Sequence, residues 1–75
     1  MEAFKSRNGI SKGDRVLFTG GSRLRPDQTG LANKYLKQGT LYIVEFVFPG
    51  TEFEQIELEG ITEVAFVHDM FVRVG

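Results

Sequence analysis

Residues 40–48 read TLYIVEFVF, followed by Pro49-Gly50, and this stretch decides the fold class. It is rich in β-branched and aromatic residues, which suit a pleated, packed surface, and the Pro-Gly pair stops it with a turn. A strand over Thr40 to Phe48 has Tyr42 and Val44 on one face and Leu41 and Ile43 on the other, so it is apolar at both parities. Either a bent strand buries both faces, as in small barrels, or one face stays exposed for a partner or a second copy of the chain.

Working outward, four more segments carry strand patterns. Asp14 to Thr19 (DRVLFT) points Val16 and Phe18 inward. Phe53 to Glu59 (FEQIELE) returns from the Pro-Gly turn with Ile56 and Leu58 inward and Glu57 and Glu59 outward. Gly60 turns the chain into Thr62 to Val67, with Val64 and Phe66 on one face, and the turn His68-Asp69-Met70 leads to a last strand, Phe71 to Val74. The longest connection, residues 22–39, contains LANKYLKQG, whose Leu31 and Tyr35 share a helical face and whose Gly39 is placed to close a helical turn. Short strands joined mainly by tight turns predict an all-β fold, a small five-stranded antiparallel barrel, closed or nearly so, with a long first loop carrying a short helical turn. The predicted core is Val16, Phe18, Leu36, Tyr42, Val44, Val47, Ile56, Leu58, Val64, Phe66, Phe71 and Val74.

Seventy-five residues make one domain with a small core. Residues 1–11 lack a hydrophobic period and read as a flexible N-terminal arm, with the domain over 12–75. With no cysteine, neither a disulfide nor a thiolate metal site is available. The N-terminal segment has no apolar run after its charges, so neither a signal peptide nor a membrane anchor is expected, and a soluble cytoplasmic protein is.

The net charge of −1 conceals a polarity. Up to Gln38 there are eight basic and three acidic residues; beyond it Arg73 is the sole base against seven acids. Arg7, Lys12, Arg15, Arg23, Arg25, Lys34 and Lys37 form a basic set suited to phosphate, and Glu52, Glu54, Glu57, Glu59 and Glu63 an acidic hairpin that repels it. Mutual neutralisation within the fold is the ordinary reading of such a pattern, and acidic residues on a hairpin also keep edges soluble.

Catalysis requires a base oriented on a nucleophile, and His68, Ser6, Ser11, Ser22 and the glutamates form no such motif. His68 beside Asp69 reads as a turn histidine, and a metal site of His68, Asp69 and Glu63 is disfavoured because neighbouring strand residues point to opposite sides. The stretch GGSRLRPDQTG, residues 20–30, has neither the phosphate-loop spacing nor the dinucleotide fingerprint. It reads as a barrel loop whose Arg23 and Arg25 project toward solvent or a partner. No cofactor is expected.

The elements Gly13-Asp14-Arg15-Val16, Gly39-Thr40-Leu41-Tyr42-Ile43-Val44, and Phe66 with Phe71 across the turn His68-Asp69-Met70 resemble a diffuse group of small SH3-like barrel proteins, many carried by bacteriophages and prophages. The resemblance covers residues 13–75 and implies five strands, a long first loop, and a short helical turn before the last strand. It carries no catalytic residues. The chain departs from the pattern in having Ala65-Phe66 and no tryptophan near the final turn, so a groove for proline-rich peptides is not expected. The expected function is a small non-enzymatic binding module, a phage or prophage accessory protein that binds a host or phage protein, monomeric or weakly dimeric. Arg23, Arg25, Glu52, Glu54, Glu57 and Glu59 are its candidate contacts. The alternative is a nucleic-acid-binding domain that uses the basic set.

Overall fold

The structure is a computed structural model that describes residues 9–50 and 52–75. Among the described residues five strands follow one another: β1 (Arg15–Phe18), β2 (Leu41–Phe48), β3 (Gln55–Leu58), β4 (Ile61–Val67) and β5 (Phe71–Arg73). The β1–β2 connection contains a 3-10 turn over Pro26–Gln28 running into helix α1 (Thr29–Tyr35), and a second 3-10 turn, His68–Met70, separates β4 from β5. Every pairing is antiparallel, and the sheet order is β4-β3-β2-β1-β5.

β2 is the strand on which the sheet turns. Its first part, Leu41 to Ile43, pairs with β1, and its second, from Val44 to Phe48, pairs with β3. Between Val44 and Phe46 the register slips, so two residues face one on the partner strand and the side-chain parity changes. The bulge explains the double-sided apolar pattern: Val44 and Val47 are both buried, whereas Leu41, Phe46 and Phe48 are 52%, 48% and 40% exposed. Of the two readings left open by the sequence, the exposed face is the one realised here.

A second register shift lies between β3 and β4, where Leu58 faces Ile61 across a tight turn but Ile56 faces Phe66. Gly60 makes that turn with φ of 83°, a left-handed conformation that costs little only without a Cβ. The irregularity falls on an edge strand, where it blunts the unpaired ladder against further pairing.

The expected closed barrel is not reached. Three residues of 3-10 turn carry the chain from the β4 edge to the β5 edge, so the two edges meet at that corner, but no ladder joins β4 to β5 among the described residues. The product is an open five-stranded antiparallel sheet with one short helix.

α1 has seven residues, too few to hold a helix by itself. It is held by packing: Ala32 is fully buried and Tyr35 lies edge-on to Phe66, with ring centroids 6.4 Å apart. The Asn33 side-chain amide also donates to the carbonyls of Gly20 and Thr29, each at 2.8 Å. The helix does not run on to a closing Gly39. Leu36 is already extended, its side chain buried, and Gly39, with φ of 82°, turns the chain into β2 instead.

The core holds Val16, Phe18, Leu36, Val44, Val47, Ile56, Leu58, Phe66 and Phe71, as expected from the sequence. Val74 is 49% exposed, because it is three residues from Phe71 and so has the opposite strand parity. Tyr42 and Val64 are only partly buried. Tyr42 lies where the chain enters β2, and its hydroxyl accepts the Lys37 N–H at 2.9 Å. Four core members lay outside the expected set: Ile10, Ala32, Val67 and Met70. Ile10 is held to the domain by a turn in which the Ser11 N–H donates to Asp14 Oδ2 and the Asp14 N–H to the Ser11 carbonyl. The ordered domain therefore takes in Ile10, which the arm expectation had excluded; residues 1–8 of that arm lie outside the described residues.

Candidate partner interface

The first loop is fastened to the corner between β4 and β5 by one carboxylate. Asp69, in the middle of the 3-10 turn, accepts the Ser22 hydroxyl on Oδ1 at 2.5 Å and the N–H groups of Arg23 and Leu24 on Oδ2 at 2.7 and 3.1 Å. Ser22 Oγ in turn accepts the Arg25 N–H at 2.8 Å, so four consecutive residues are tied to one point. Thr19 adds two bonds to the Met70 carbonyl, from its N–H at 2.8 Å and its hydroxyl at 2.9 Å. Burial works to raise the Asp69 pKa, but the Ser22 hydroxyl and the Leu24 and Arg23 N–H groups, with His68 beside it, outweigh burial and hold the carboxyl below its ordinary value. From the sequence Asp69 was only a turn residue. The residue types it binds lie some 45 positions upstream, and no local spacing announces such a bond.

Arg23, Leu24 and Arg25 form the tip that this clamp supports. Arg25 makes a bidentate pair with Asp27, Nε to Oδ1 at 2.9 Å and Nη2 to Oδ2 at 2.7 Å, and its guanidinium lies 5.7 Å from the centre of the Phe53 ring. The hydrogen bond and charge of Asp27 raise the Arg25 pKa and lower that of Asp27, and Glu52 adds to the field on Arg25. Leu24 is 49% exposed, and no ion pair involves the Arg23 side chain among the described residues. Neither arginine pairs with a hairpin glutamate among the described residues, so Arg25 meets the hairpin through an aromatic face. Phe53 also lines a 270 Å³ cleft with Phe48, Pro49, Gly50, Glu52 and Gln55.

The acidic hairpin is not one uniform surface. Glu52 and Glu59 are exposed, and Glu57 is half-buried opposite Phe46. Glu54 is 2% exposed and cannot serve as the outward contact expected of it. Glu54 has the strand parity of Ile56 and Leu58, so its burial continues their inward row one step before β3 begins at Gln55. Its backbone is held on both sides by His68: the His68 N–H donates to the Glu54 carbonyl at 2.9 Å, and the Glu54 N–H donates to His68 Nδ1 at 3.0 Å. His68 thus sits in the structural pairing that draws Glu54 under the corner.

The basic set is spread over several elements. Lys12 is paired with Glu45 at 3.6 Å, and Arg25 is committed to Asp27. Arg15 lies in β1, Arg23 at the loop tip, Lys34 in α1 and Lys37 beyond it, while Arg7 lies outside the described residues. Among the described residues no three His, Asp or Glu side chains are grouped to hold a metal ion, and no helix is long and apolar enough to cross a membrane.

No protein-family model, curated protein or solved structure matches this chain.

Proposed function

We propose that the chain is a small non-enzymatic binding module that engages a protein partner through the tip Arg23-Leu24-Arg25. The observation that carries this reading is Leu24, about half exposed on a backbone that Asp69 holds by direct hydrogen bonds. A large aliphatic side chain presented on a preorganised loop loses little entropy on docking, and the adjacent Arg23, whose side chain has no ion pair among the described residues, supplies orientation toward carboxylates. The complementary surface is an apolar socket rimmed by acidic residues.

The SH3-like barrel remains part of the proposal. Five antiparallel strands, a long first loop, and a single helical turn before the last strand are the features that the resemblance implies, and all three are compatible with the observed order of elements. On the same resemblance, we read the protein as a phage or prophage accessory factor whose partner is a host or phage protein.

The test is a pull-down from the native host with wild-type protein, Leu24→Asp and Arg23→Glu, and with Thr62→Asp on the distant β4 edge as a control. Loss of the same captured protein with both tip variants, and its retention with the control, supports the reading. Equal capture by all four proteins overturns it. Binding of random-sequence DNA or RNA at about 50 mM salt that weakens steeply as salt rises would favour the nucleic-acid alternative instead.

A further inference from the structure

The face of the sheet opposite the core carries a second pattern that the loop tip does not use. In the ladder β2-β1-β5, Leu17 stands opposite Leu41 on one side and Val72 on the other, giving a row of three aliphatic side chains across three strands. The neighbouring row is Ile43, Arg15 and Val74, since Arg15 faces Ile43 and the Val74 N–H donates to the Arg15 carbonyl. Val16 and Phe18, at the alternate parity, are fully buried, so both rows lie on the outer face. Leu41, Val72 and Val74 are 52%, 53% and 49% exposed. α1 leaves this face open, because its buried contacts, Ala32 and the Tyr35 ring on Phe66, are made with the core.

Arg15 stands between Ile43 and Val74 in the second row, its guanidinium reaching to Gly75. Lys12, Arg25 and Arg73 each have a carboxylate within ion-pair distance, whereas no ion pair involves Arg15 among the described residues. An arginine ringed by apolar surface is the usual composition of an interface centre, where covering the ring removes water and strengthens the pairing of the guanidinium with an incoming carboxylate. We infer that the outer face of β2, β1 and β5 docks the apolar side of an acidic amphipathic segment of a partner, one carboxylate of which pairs with Arg15. A symmetric second copy is the poorer occupant. A two-fold contact buries the same patch from both chains, bringing two arginines into one desolvated area.

The test uses isotope-labelled full-length protein and a synthetic amphipathic peptide of roughly 18 residues, leucine on one face and glutamate on the other, with its lysine counterpart as control. The glutamate peptide is expected to shift the amide signals of Leu17, Leu41, Val72 and Val74 and the Arg15 side-chain signal. Arg15→Glu should weaken it at least about tenfold and admit the lysine peptide in its place. If Arg15→Glu does not fold, Arg15→Gln reads the same loss for the glutamate peptide. Shifts confined to other faces, equal binding of both peptides to wild type, or no binding would overturn the inference. So would concentration-dependent dimerisation that broadens the same amide signals, since a second copy would then cover the face.

Discussion

Ser22 Oγ and Asp69 Oδ1 lie 2.5 Å apart, and with this contact the long first loop is joined to the single helical turn that precedes the last strand. The same carboxylate takes two backbone N–H groups from the loop, so its removal strands three donors at once. Asp69→Ala should therefore destabilise the fold by about 1–2 kcal/mol, allowing for the partial solvent contact of the site. Urea unfolding should show a lowered midpoint, and hydrogen exchange should show Arg23 and Leu24 losing protection before the strands do.

The Asp69 clamp also sets a pH dependence. The folded protein holds this carboxyl below its ordinary value of 3.8, so its contribution is complete above the unfolded value and is lost as pH falls through the folded one. The difference in melting temperature between wild type and Asp69→Asn should be constant above about pH 5 and shrink toward zero in stronger acid. A difference that grows on acidification would contradict the assignment.

Charge reversal on the hairpin should separate two kinds of glutamate. Glu57→Lys and Glu59→Lys should change stability by no more than about 0.5 kcal/mol, as surface substitutions do. Glu54→Lys should unfold a large share of the protein, because a residue 2% exposed would carry an ammonium group into the packed corner. Circular dichroism melts of the three variants settle this, and only the first two are fit for binding experiments.

Core substitutions should follow the observed burial. Met70 is fully buried and Val74 is 49% exposed. Met70→Ala should cost about 2–5 kcal/mol and Val74→Ala less than about 0.5 kcal/mol in chemical denaturation. Equal losses at the two sites would place Val74 inside the core after all.

Where the sequence pattern was local and periodic, it was legible. Val16 and Phe18, Ile56 and Leu58, and the turn glycine Gly60 all behave as their spacing implies. It failed where the period breaks. Ile10 is flanked by Gly9 and Ser11, which carry no strand signal, and Met70 lies in a turn, so neither advertises a buried position. Val74 was misplaced by one step of parity, and Glu54 by its charge, although its parity is that of Ile56 and Leu58. The candidate site was legible in part: Arg23 and Arg25 were expected at the loop tip, but Asp69, which holds that tip, was not.

Alternating apolar residues, turn glycines and the Pro-Gly stop after Phe48 determined by themselves that this chain makes short antiparallel strands, because strand period and turn conformation are properties of a few adjacent residues. Only the tertiary structure decided which face of β2 is covered and which carboxylates are surface. The bulge after Val44 turns Phe46 and Phe48 outward, and the His68 pairing takes Glu54 in. Both outcomes depend on contacts between residues far apart in sequence: register overrides the local alternation in β2, and packing overrides the preference of a carboxylate for the surface at Glu54.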